Sequence, residues 1–168
     1  MGRNPNKIGG LTERETFVSS YTSADETRIR FAWNGKHAEE FVDSNAEFRS
    51  PITALVVSSP NAAPIELVRD LFKAETEFSR EAWGIEFGVG ALAERLLRCD
   101  PERFLEDYLR GKFQSFDAHL GSAFDVEDAL TVRLLEIVQR RLEGELPPER
   151  RELLERGSAL FQDWTKSS

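Results

Sequence analysis

TRIRFAWNG, residues 27–35, decides how the first third of this chain is read. Ile29, Phe31 and Trp33 fall on one face and Arg28 and Arg30 on the other, the period of a half-buried strand. Asn34-Gly35 follows at once, the preferred pair for a two-residue type I′ hairpin turn. That turn sets Arg30 opposite Glu39 and Trp33 opposite Lys36; the charge pair supports the register, and Glu40 opposite Ile29 does not. KHAEEFV (36–42) is then the second arm, or else the start of a short helix. ETFVSSY (15–21) and PITALVVSS (51–59) concentrate β-branched and aromatic residues and read as further strands. Pro51 fits a strand's first residue or a sheet edge.

After the turn-rich SSPNAAP (58–64) the pattern changes to helix. Pro64 suits a first helical position with Glu66 in the first turn, and Asp100-Pro101-Glu102 reads as an N-cap, a first-turn proline and an acidic start. Helices are expected near 64–98, 101–120, 125–143 and 148–165. The fold expected is therefore α+β: a small N-terminal antiparallel sheet of three or four strands packed against a C-terminal bundle of four to five helices. Residues 1–14 are expected to be a flexible N-terminus. Residues 15–168 form a single α+β domain, its sheet part over about 15–59 and its helical part over about 64–166.

WGIEFGVG (83–90) holds three of the eleven glycines. Its spacing is neither the dinucleotide fingerprint nor the P-loop, and Glu86 would meet any bound anion. An apolar or small stripe at 67, 71, 74, 78, 82, 85, 89, 92 and 96 carries helical phase through the glycines. A bent helix is the favoured reading; a loop between two helices and a strand remain open. On a helix, Glu75 and Glu86 lie close to three turns apart on one flank of the apolar arc. Carboxylates held there must be paired, hydrogen-bonded or raised in pKa. Arg133 is the structural partner expected for them.

The balance of 22 basic to 30 acidic residues gives a net charge of −8. Residues 61–168 carry 22 of the acidic residues against 15 of the basic ones. No basic stripe suits nucleic acid, and no apolar run is long enough to span a membrane. MGRNPNKIGG lacks the apolar core of a signal peptide, and Asn6 stands where a myristoylation motif takes Ser or Thr. The single cysteine, Cys99, fits a reducing compartment, so the protein is expected in the cytoplasm.

Candidate chemistry is sparse, and no motif calls for a cofactor. Only His37 and His119 offer imidazoles. Glu75, Glu86 and His119 are the candidate catalytic groups, and the same three with Asp117 are the candidate metal ligands. No G-x-S-x-G elbow occurs, and Cys99 at a helix C-terminus beside Asp100 is a poor thiolate. Phe31 and Trp33 could stack bases beside Arg28 and Arg30, but core packing is favoured. The leading functional reading is non-catalytic: a protein-interaction or regulatory domain whose acidic helical surface meets another, basic protein. A homodimer packed on Gly84 and Gly88 is a variant of it. A carboxylate–histidine metal-binding or hydrolytic enzyme and a small-ligand-binding domain are the alternatives.

Overall fold

The computed structural model describes residues 12–166. Those residues are helical and contain no sheet. α1 spans Glu13–Ser20, α2 Ala46–Ser58, α3 Ile65–Ala82, α4 Val89–Cys99, α5 Pro101–Lys112, α6 Phe116–Gly121, α7 Asp128–Leu142 and α8 Pro148–Lys166. The expected α+β fold is thus corrected to a helical bundle. Of the flexible N-terminus expected over 1–14, residues 1–11 lie outside the described residues. Thr12 closes a capping box with Glu15 and starts α1.

Each expected strand has a physical reason to be something else. ETFVSSY lies in and just after α1, where Phe17, Val18 and Tyr21 are buried at helical spacing. PITALVVSS lies almost wholly in α2, which buries Arg49, Ile52, Thr53 and Val56, again one helical face. Pro51 is tolerated inside that helix, although it removes one backbone donor. TRIRFAW begins in a 3-10 turn and then runs extended, meeting a partner at one isolated antiparallel bridge, Trp33 with Asp43. The Asn34-Gly35 hairpin is replaced by a wider loop in which Asn34 bonds Val42 and the Trp33 indole donates to the Lys36 carbonyl at 2.7 Å. Phe31, half-buried, packs against Trp33, Phe41 and Phe78 of α3, outside the main core.

α3 is the central element and touches α2, α4, α5 and α6. One apolar core runs from Phe17 of α1 to Phe161 of α8. Around it, a polar seam joins α5, α7 and α8: Glu106 accepts from Arg150 at 2.7 Å, Arg141 at 2.8 Å and Arg110 at 3.3 Å.

The glycine stretch does not continue the helix. α3 ends at Ala82, Trp83 takes a left-handed conformation with φ 55°, and α4 starts at Val89. Gly88 caps α4 with φ 98°, a value that suits glycine, and a Cβ there would sit 2.8 Å from Val57. Gly90 packs so closely on the Ala123 carbonyl that a Cβ would collide with backbone. The expected 101–120 helix likewise divides, because Phe113 and Gln114 turn and Ser115 caps α6 through the Ala118 amide.

Candidate functional site

Glu75 is buried in α3, on the face that meets α2. The Thr53 hydroxyl donates to its Oε1 at 2.8 Å, and Arg49 Nε lies 3.2 Å from the same oxygen. Arg49 reaches Asp43 with its other arm, Nη2 to Oδ2 at 2.7 Å. All three charged side chains have essentially no solvent access. Burial raises the Glu75 pKa, and the charge of Glu86 adds to that; Arg49 and Thr53 pull the other way. Among the described residues, Glu75 Oε2 has no hydrogen-bond partner. The arginine serving Glu75 is therefore Arg49, not Arg133, which is exposed on α7.

Glu86 lies in the α3–α4 loop, not on a helix with Glu75, yet near enough for its charge to act on that group. Half-buried, its carboxylate has no hydrogen bond or ion pair among the described residues.

His119 and Asp117 share the short helix α6. The His119 ring stacks on Phe113, and burial, Lys112 and Arg156 lower its pKa. The charge of Glu86 reaches Glu75, while no bond or contact among the described residues joins His119 to either. Among the described residues no three His, Cys, Asp or Glu side chains gather closely enough to hold a metal ion.

Two polar features were not foreseen. Tyr21 donates to Asp70 at 2.6 Å; Asp70 and Asp107 both line a groove of about 400 Å³, and burial raises the Asp107 pKa against the pull of Arg69 and Arg110. Lys112 is buried without a carboxylate partner; its Nζ donates to the His119 carbonyl at 2.8 Å, and burial brings its pKa down to about 8. That amine ties the last turn of α6 to α5, a favourable place for a cation.

The apolar surface beside these groups is unusual. Trp83 is 91% exposed and Phe87 93%, both in the glycine loop, and Phe116 is 75% and Leu120 56% exposed on α6. These are four of the six large apolar side chains exposed among the described residues, and they fall on two touching elements. The loop meets α6 where Ile85 lies on Gly121, and α3 meets the cap of α6 through the Ser79 and Ser115 hydroxyls, 2.9 Å apart.

No protein-family model, characterised protein or solved structure matches this chain.

Between the glycine loop, the start of α4 and residues 121–125 runs a shallow groove of about 590 Å³. Val57, Ile85, Phe87 and Phe124 supply apolar walls, and its charged linings among the described residues are Glu86, Glu94 and Asp125. Sequence carried a signal for this surface. Trp83 and Phe87 are the two aromatics of the glycine stretch that fall off the inward stripe of the flanking helices.

Proposed function

We propose that this chain is a non-catalytic protein-interaction domain that docks another protein on the surface formed by its glycine loop and α6. The supporting observation is that Trp83 and Phe87 of the glycine loop and Phe116 and Leu120 of α6, which the loop touches through Ile85 on Gly121, all lie in water. Exposed aromatics are frequent anchors of protein interfaces. The loop that carries two of them is held in place rather than left hanging: Gly88 fits against Val57, Gly90 against the Ala123 carbonyl, and Ile85 against Gly121. A preorganised surface loses less entropy on docking.

The carboxylate–histidine alternative has little to support it, because Glu75 serves Arg49 and Thr53 while His119 stacks on Phe113. No helix among the described residues is long and apolar enough to cross a membrane. A cytoplasmic location belongs to the same proposal and rests on the lone thiol of Cys99.

The test compares the immobilised full chain with its Trp83→Ser/Phe87→Ser variant, using extract of the source cells. A protein held by the first and lost from the second is the expected result. Identical retained proteins on both would overturn the reading. The homodimer version is read by sedimentation of the same pair, where the variant would lose a dimer that the parent forms.

A further inference from the structure

The polar lining of the 590 Å³ groove is entirely acidic, although the chain carries 22 basic residues. Glu94 is engaged by Arg98 at 2.8 Å. Glu86 and the exposed Asp125 carry no side-chain hydrogen bond or ion pair among the described residues. They line the same groove as Val57, Ile85, Phe87 and Phe124. An apolar groove whose lining includes two carboxylates without a counter-ion complements one kind of protein segment.

We infer that the groove takes a basic amphipathic peptide segment of the partner, an inference that rests on the docking reading above. An apolar side chain of that segment seats against Phe87, Val57 and Phe124. Lysine or arginine residues flanking it pair with Glu86 and Asp125. Burying the apolar anchor supplies most of the attraction, while the rim charges select the partner and speed its approach. An acidic segment would set like charges against Glu86 and Asp125 at the same separation, which disfavours it.

Exposed tryptophan and phenylalanine also suit a bilayer interface. The acidic rim opposes the anionic headgroups that hold peripheral proteins, so the peptide reading is the one argued.

The experiment pans the full chain against a displayed library of amphipathic peptides with apolar anchors and basic, neutral or acidic flanks. Selected peptides are titrated against the parent, Phe87→Ser and Glu86→Gln/Asp125→Asn, at low and high salt, and the three proteins are sedimented with zwitterionic and with anionic vesicles. Basic-flanked peptides should be enriched, weakened about tenfold by the Glu86→Gln/Asp125→Asn change and by added salt, and lost with Phe87→Ser. Neutral or acidic peptides that need Phe87 but ignore the rim charges and salt would overturn this inference and leave the docking reading standing. No selected peptide, or peptides indifferent to Phe87→Ser, would overturn both. Vesicle binding that disappears in Phe87→Ser, without peptide enrichment, would replace the peptide with a membrane and also overturn it. Circular dichroism matched across the three proteins ensures that lost binding reports on the surface.

Discussion

Arg49 Nε and Glu75 Oε1 stand 3.2 Å apart in the seam between α2 and α3, both side chains shut off from water. The contact pairs charge with charge but is not aligned as a hydrogen bond at Nε. Asp43 takes the other arm of the same guanidinium, so two carboxylates depend on one cation.

Replacing Arg49 by methionine should therefore be severe. It leaves Asp43 and Glu75 buried without a counter-ion, a change that costs about 3–5 kcal/mol. Glu75→Gln should cost less than about 1 kcal/mol, because Thr53 can still donate to the amide oxygen and Arg49 keeps Asp43. In urea unfolding, the Arg49→Met/Glu75→Gln double variant should recover part of the loss of the first change. Equal losses from both single changes would contradict this account of the cluster.

Acid should expose the same group from another side. Burial raises the Glu75 pKa above its ordinary 4.5, so just above that value the native chain holds a proton that the unfolded chain has released. Its contribution to stability is largest in acid and falls as pH rises through the raised value. Glu75→Gln should remove that fall. A pH profile unchanged by the substitution would place the proton elsewhere.

Lys112 gives the opposite slope at the alkaline end. Between its buried value of about 8 and the free value of 10.5, the unfolded chain keeps a proton the native chain has lost. Native stability should rise over that range, by at most about 1.4 kcal/mol per pH unit and less with solvent screening. Lys112→Met should flatten the rise in unfolding titrations across those pH values.

Glu106 behaves as a carboxylate in surplus of cations. Partial burial acts to raise its pKa, but Arg150, Arg141 and Arg110 outweigh it and the value is lowered. Its ionisation thus stabilises the fold above the unfolded carboxylate range, and that stabilisation is lost as pH falls through the lowered value. Glu106→Gln should lower the melting temperature at neutral pH and narrow its gap to the parent in strong acid.

Gly90→Ala should act against helix propensity. Within α4, alanine is favoured over glycine by about 1 kcal/mol. Yet the new Cβ would strike the Ala123 backbone carbonyl, and overpacking of this kind costs about 1–3 kcal/mol. A net loss of stability in urea unfolding is expected; a gain would mean that the 121–123 segment can yield.

From residue 64 onward the helical character was legible, though not the breaks before α4 and α6, because buried residues recur at helical spacing and Asp100, Pro101 and Pro148 mark starts in the usual way. Before that point the same spacing exists but is disguised. In α2 the buried positions 49, 52, 53 and 56 include an arginine and a threonine, so the apolar pattern shows only its β-branched remainder. Such residues favour strands on average, and tertiary packing overrode the preference here. The Thr12–Glu15 capping box was also readable and would have marked α1.

The break at the glycine stretch was hidden by coincidence of phase. Ile85 and Val89 point inward from a loop and a new helix much as they would from one continuous helix. At the candidate site, Glu75 was recognisable as a carboxylate on the edge of the core. Its arginine was not, since Arg49 comes from a segment read as lying before a strand.

The Arg49 cluster also imposes an order on synthesis. Asp43 and Arg49 leave the ribosome while Glu75 is still to come, and Thr53 precedes its carboxylate partner by 22 residues. α2 therefore emerges with a face that is half charge and half oil, and its full set of partners arrives only with α3. Until α3 is made, Arg49 has Asp43 but lacks its second carboxylate, and the Thr53 hydroxyl lacks its acceptor.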